Sequence, residues 1–254
     1  MISRSNSVDR LLAGEITMGT FVGISSPATV EILARRGFDP VCIDSEHTAL
    51  GPELIENMIR AADSFGVAAL VRVPGVGPEI GRALDSGALG VVVPRVETPE
   101  QAQACVDMVR YPPQGQRGAG PGRSTAFGKD LVASVRESNS SVALILQVET
   151  ELGLQNAYEI AAVDGVDMIF VGPGDLAVSM GVGMGSEKHT AAVAGILAEV
   201  KRAGKLSGIF SLTGGDLPHW RELGATFFLL SGDVSFLGEQ AEAERTRVLE
   251  LLGE

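Results

Sequence analysis

Basic side chains are scarce in this 254-residue chain: 20 Lys and Arg stand against 32 Asp and Glu, a net charge of -12. A surface so acidic excludes nucleic acid and anionic membrane as main partners, since both demand a positive footprint. It does not exclude an anionic substrate, because a few local arginines and a metal can reverse the field inside a pocket. Cysteine is nearly absent. Cys42 falls in a buried-strand pattern and Cys105 in a helical one, so a disulfide is not expected and a reducing cytoplasm is the expected location. No apolar run approaches the ~20 residues of a membrane span. Met1–Gly14 is polar and lacks the apolar centre of a signal peptide. Nucleophile elbow, Walker loop, zinc-finger spacing and paired-His motif are all missing. Lysine is missing from the C-terminal ends of the expected strands, which leaves no candidate for Schiff-base chemistry.

What is present is apolar and periodic. The chain is 45% hydrophobic, enough for a large core, and short β-branched runs recur with helical segments between them. Eight strands are expected, at Gly19–Ile24, Pro40–Ile43, Ala68–Val73, Gly90–Val96, Val142–Glu149, Asp167–Gly172, Leu206–Phe210 and Phe227–Ser231. Ser26-Pro27 and the Thr98-Pro99-Glu100-Gln101 capping box each open a helix, and Gly37, Gly66 and Gly87 stand where helices end. Eight β-α alternations in one domain spanning 1–254 predict a (β/α)8 TIM barrel. The rival doubly wound sheet wants a glycine fingerprint at its first strand–helix turn, and Gly23-Ile24-Ser25-Ser26-Pro27 is not one. The glycine-rich stretches 118–122 and 181–185 do not follow strands and read as mobile loops. The long interruption from Tyr111 to Lys129 reads as a functional loop or a disordered one.

In a barrel the active site lies at the C-terminal ends of the strands. Glu149 and Asp175, 26 residues apart, each follow an apolar run, with room for one helix between them. They therefore sit at the same end of adjacent parallel strands, a seat for a hard divalent cation, with Mg2+ or Mn2+ favoured over zinc by oxygen-only ligation. Taken singly, each could be half of a salt bridge or a helix N-cap. Gly172-Pro173-Gly174 allows close backbone approach to a ligand. His47 follows the second strand beside Asp44 and Glu46 and suits proton transfer, whereas His189 and His219 fall in helix-like surface segments and are expected to be solvated. Arg72 ends the third strand, either as a surface charge or as an oxyanion clamp. Arg95, Glu97, Gln147, Ser231 and Asp233 fall at the same mouth. Arg117 and Arg123 in the long loop could bind a distal carboxylate, or be solvated.

Several stretches resemble the HpcH/HpaI aldolase family: Gly19–Gly23, Phe38–His47 ending in Asp-Ser-Glu-His, Val71–Pro74, Arg110–Gly118, Gln147–Thr150 and Val171–Gly181. The likeness covers nearly the whole chain, and the motifs are specific jointly rather than singly. It implies a class II, metal-dependent pyruvate aldolase cleaving 2-keto-3-deoxy sugar acids or 4-hydroxy-2-oxo diacids to pyruvate and an aldehyde. It also implies Glu149 and Asp175 as ligands of Mg2+ or Mn2+ (Co2+ serving as well), with pyruvate bound through its carboxylate and keto oxygen. Gln147 and the backbone at Gly174 would hold the pyruvate, Arg72 the enolate oxygen, and His47 would act as acid and base. Asp85 matches an aspartate that raises the basicity of that histidine. Yet it closes the third predicted helix at the barrel bottom, so it fits only if a neighbouring subunit supplies it; otherwise it is a solvated helix-end acid. A homo-hexamer built as a trimer of dimers that exchange the last helix is implied too. The relatives include condensing acyltransferases of citrate-synthase type, the alternative reading. Phe21, where relatives often carry Trp, and Val73–Pro78, where they often carry Trp-Asn-Asp, leave the second substrate open.

Overall fold

The computed structural model describes residues 6–253. Eight parallel strands close into a barrel in chain order, the eighth pairing with the first. They are β1 (Thr17–Val22), β2 (Val41–Asp44), β3 (Ala69–Arg72), β4 (Gly90–Val93), β5 (Ala143–Val148), β6 (Met168–Val171), β7 (Leu206–Ser211) and β8 (Phe227–Gly232). The helices are α1 (Asn6–Leu12), α2 (Pro27–Arg35), α3 (Pro52–Ser64), α4 (Glu79–Asp85), α5 (Pro99–Val109), α6 (Leu131–Ser138), α7 (Glu151–Gln155), α8 (Ala157–Ala161), α9 (Pro173–Ser179), α10 (Glu187–Arg202), α11 (Leu217–Glu222) and α12 (Asp233–Leu252). This is the expected (β/α)8 barrel. Of the Met1–Gly14 stretch, residues 1–5 lie outside the described residues and most of the rest forms α1. No helix among the described residues is long and apolar enough to cross a membrane.

The differences from the expected elements have local causes. β1 starts at Thr17, whose N–H donates to the Thr226 carbonyl at 3.0 Å, and it ends before Gly23. The N–H groups of Gly23 and Ile24 turn instead to the Asp233 carboxylate, at 2.8 and 2.9 Å. β4 stops at Val93 because Arg95 takes a left-handed backbone (φ +53°) that no strand continues through. The single helix expected between β5 and β6 is two short ones, broken at Asn156, whose side chain donates to the Glu97 carbonyl at 2.7 Å. Helix starts follow the sequence closely. Ser26 accepts from Ala28 N and Thr98 from Gln101 N. The Gln101 side chain returns one residue further than a capping box requires, to the Glu97 N–H. Gly37, Gly66 and Gly87 follow the ends of α2, α3 and α4 with left-handed backbone.

Alternation along the strands builds two cores. One face, with Val41, Ile43, Val71, Val91 and Leu144, packs against helix residues such as Val30, Met58 and Ile80. The other, with Cys42, Leu70, Val92, Ile145, Phe170, Phe227 and Leu229, fills the barrel interior, and Val8 and Leu11 of α1 close its bottom. Buried on both faces, the strands read as the continuous apolar runs seen in the sequence.

The bottom rim is held by Arg110, only 2% exposed. Its guanidinium donates to the carbonyls of Asn139 (3.1 Å), Val142 (2.8 Å) and Gly165 (2.9 Å) and to the Asp167 carboxylate (2.5 Å). Asn139 and Tyr111 exchange two further bonds. The Tyr111–Lys129 segment is thus anchored at its root, and it carries a 3-10 turn at Arg123–Gly128.

Candidate active site at the barrel mouth

Asp44 and Arg72 are register partners at the ends of β2 and β3. Their side chains meet in a two-pronged ion pair: Arg72 Nε donates to Asp44 Oδ1 at 2.9 Å and Nη2 to Oδ2 at 2.8 Å. Arg72 is 9% exposed, so its surface-charge reading is set aside. Its Nε also lies 3.3 Å from Glu46 Oε2, and its guanidinium carbon sits 4.2 Å from the centre of the Phe21 ring. Burial alone would raise the Asp44 carboxyl, but hydrogen bonding and charge from Arg72 outweigh it and hold the group below its usual range. Asp44 Oδ1 also accepts from the Glu46 N–H at 3.1 Å and the His47 N–H at 3.4 Å, and the Thr48 hydroxyl donates to its carbonyl. One acid therefore sets both the guanidinium and the loop that displays the imidazole. The His47 side chain is 59% exposed, with Nε2 3.6 Å from Glu46 Oε2.

Glu149 follows β5 and is 2% exposed. Its Oε1 accepts from the Arg95 N–H at 2.9 Å, a bond that Arg95's left-handed backbone makes available, and its Oε2 accepts from the Gln147 side-chain amide. Burial, then repulsion from Asp175 and Glu46, pushes its carboxyl up to about 7 against those two bonds. Glu46 is raised as well, chiefly by burial. Neither Glu149 nor Asp175 is an N-cap: Thr150 caps α7, Gly172 occupies that place on α9, and Asp175 lies in α9's first turn. Neither is paired with a base among the described residues. Gly174 and Asp175 are exposed at the mouth.

Three features fit this corner to a cation. Its donors are oxygens. Gln147 Oε1 is buried without a hydrogen-bond partner. A side chain at Gly172 would begin 2.5 Å from Glu149 Oε2 and 3.0 Å from Gln147 Nε2, so only glycine leaves the space beside them open. Among the described residues no group of three or more His, Cys, Asp or Glu side chains could hold a metal alone. The two acids would therefore share a cation with water or substrate oxygens, as hard-cation sites do.

Asp85 ends α4 and is hydrogen-bonded to Arg117 at 2.7 Å, not to His47. Arg117, 7% exposed, also lies 4.7 Å over the Tyr111 ring, and Arg123 pairs with Asp63 at 2.6 Å, so neither loop arginine is merely solvated. Asp233 is used up closing the seam between β1 and α12. His219 is exposed, as expected, but His189 is not: at 3% exposure it lies under the start of α9. The expectation failed because α10's buried face reaches its first turn, which a segment rich in polar residues conceals. Asp44's pairing with Arg72 and Phe21's place over it were likewise unassigned. The signal for the first was available, since the ends of adjacent parallel strands must face each other.

A model of the HpcH/HpaI aldolase/citrate lyase family matches residues 17–236. A hydroxypyruvate/pyruvate aldolase of Deinococcus radiodurans is 38% identical over 93% of this chain and 87% of its own length. A 5-keto-4-deoxy-D-glucarate aldolase of Klebsiella pneumoniae subsp. pneumoniae is 36% identical over 88% of this chain and 89% of its own. Among solved structures, the citrate synthase SbnG superposes with a TM-score of 0.89 at 29% identity, covering 100% of both chains.

Proposed function

The chain belongs to the HpcH/HpaI aldolase/citrate lyase family, and from that premise we propose a divalent-metal-dependent class II aldolase that cleaves a 4-hydroxy-2-oxo acid to pyruvate and an aldehyde. The observation that carries this reading is a buried carboxylate, Glu149, raised to about 7 beside a second acid, with no cationic side chain paired to it among the described residues. Mg2+ or Mn2+ at Glu149 and Asp175, Co2+ serving as well, would act as Lewis acid on the keto oxygen.

The residues of the chain do the rest. Gln147 and the Gly174 backbone N–H hold the pyruvate portion. His47, displayed to solvent, takes the proton from the C4 hydroxyl as the C3–C4 bond breaks and the aldehyde leaves. Asp44 engages Nε and Nη2 of Arg72, which leaves Nη1 to stabilise the enolate oxygen until the methyl carbon is protonated. A fixed, always-charged fork suits that task better than a mobile ammonium. Pyruvate with Mg2+ or Mn2+ in deuterated water should lose its methyl proton signals in the presence of this protein. No exchange with any divalent metal would overturn the reading.

The likeness to a citrate synthase favours one alternative, a condensing acyltransferase using the same enolate. Turnover that requires an activated acyl donor would select it. The active assembly we propose is a homo-hexamer, a trimer of dimers exchanging α12. That helix exposes Val234, Leu237, Val248, Leu251 and Leu252, and of its residues only Asp233 is buried. In such an assembly Asp85 would serve the His47 of a neighbour. Sedimentation at six times the 26.4 kDa chain mass is the expected result.

A further inference from the structure

His189 is the third residue of α10, and both of its ring nitrogens are engaged. Nε2 lies 2.8 Å from the Pro173 carbonyl, which can only accept, so the ring carries its hydrogen there. Nδ1 is thereby left as an acceptor and takes the Gly185 N–H at 3.1 Å. The glycine-rich segment 181–185 and the first residue of α9 are thus joined through one imidazole. Pro173 is followed directly by Gly174 and Asp175. The N-cap of α9 is Gly172, which offers no side chain to fix the turn, and the helix is only seven residues long. Its start is shaped by Pro173 at the first position and by the Leu176 N–H bond to the Gly172 carbonyl at 3.1 Å, and His189 adds a side-chain bond from α10.

We propose that His189 is the positioning residue of this mouth: by bridging Pro173 and Gly185 it holds the turn that presents Asp175 and the Gly174 N–H. The proposal rests on the reading of Glu149 and Asp175 as a cation seat. An apolar side chain at 189 would cut the tie between Pro173 and Gly185: the exposed Gly185 N–H would turn to water, the Pro173 carbonyl would lose its bond to the ring, and the first turn of α9 would no longer be pinned to the loop behind it. Groups that orient metal ligands from behind typically change metal affinity by about 10–100-fold when removed.

The test is Mn2+ binding, followed by the electron paramagnetic resonance of the free ion, with His189→Leu and His189→Gln against the unaltered protein. The Leu variant should bind at least about tenfold more weakly, and amide exchange in peptides spanning 172–177 should quicken. The Gln variant, whose amide both donates and accepts, should stay within about threefold. Should the Leu variant not fold, His189→Asn is read in its place, since its shorter amide cannot span both partners. A folded Leu or Asn variant that binds Mn2+ like the unaltered protein overturns the proposal. So does a Gln variant as weak as Leu, because the polar bridge would then not be what matters. Unaltered protein that binds no Mn2+ sinks the cation seat itself, and this assignment with it.

Discussion

The two rims of the barrel are each organised by a buried arginine, and the two are treated differently. At the bottom, Arg110 meets three carbonyls and a carboxylate, and the Asp167 oxygen it holds also accepts the Leu144 N–H. At the mouth, Arg72 is clamped by Asp44 on one edge, while nearby Glu46 and Glu149 are held above their ordinary range. Among the described residues, Gln147 Oε1 and the Ser231 hydroxyl lie buried there without hydrogen-bond partners, but so do the Thr17 and Thr226 hydroxyls at the bottom, so it is the crowded acids that set the rims apart. Satisfied polar groups stabilise and fix a structure; acids crowded together store unfavourable energy that a bound cation can release. The bottom is built to hold the barrel closed and the mouth to receive something.

The largest expected effect separates the rims by turnover. Glu149→Gln or Asp175→Asn should cost on the order of 10^3-fold or more in metal-dependent activity, about 4 kcal/mol of transition-state stabilisation, without unfolding the protein. Steady-state rates beside a denaturation curve check this, and either variant at full activity would break the assignment of the mouth. Arg110→Met should do the reverse. It leaves Asp167 and several carbonyls unpaired, costs about 3–4 kcal/mol of stability, and spares turnover per folded molecule. Urea midpoints with activity normalised to the folded fraction decide it.

The next effect, about 3 kcal/mol, concerns pH. Glu149 has a folded-state pKa of about 7, above the ordinary glutamate value near 4.5. Below about pH 4.5 the group is protonated in both states and contributes no difference. As pH rises through 7 the folded state must ionise a buried acid, and that share of stability is lost. With chelator present, the Glu149→Gln variant should therefore gain on the unaltered protein between pH 5 and 8. A constant difference across that range would mean the carboxyl is not strained. Metal affinity should fall as pH drops below 7, since the cation competes with the proton.

These contrasts were unevenly legible in the sequence. Strand order, the barrel and the positions of Glu149, Arg72 and His47 follow from periodicity and from the rule that barrel chemistry gathers at strand C-termini. Asp44's role follows from register alone, one step further than the motif. Arg110 shows no such signal: its partners at 139, 142, 165 and 167 converge only once the barrel has closed. Arg95's left-handed turn is invisible too, because a non-glycine residue gives no hint that it will adopt one. His189 was concealed because helical periodicity does not say how far toward its end a helix is covered.

The smallest effect compares like with like. Arg72 lies 4.2 Å over the ring of Phe21, and Arg117 lies 4.7 Å over the ring of Tyr111 on the far side of the fold. A cation over an aromatic face contributes about 1 kcal/mol when partly buried. Phe21→Leu keeps the apolar bulk and removes the ring's charge distribution, so Arg72 should lose part of its orientation and kcat/KM should fall about fivefold with little change in melting temperature. Phe21→Trp, with the stronger face, should recover the loss. Tyr111→Leu should lower the melting temperature and disturb kcat/KM less than Phe21→Leu does, because Arg117 meets Asp85 and not the substrate. If Phe21→Leu instead behaves like Tyr111→Leu, Asp44 alone orients Arg72, and the mouth is as firmly built as the bottom.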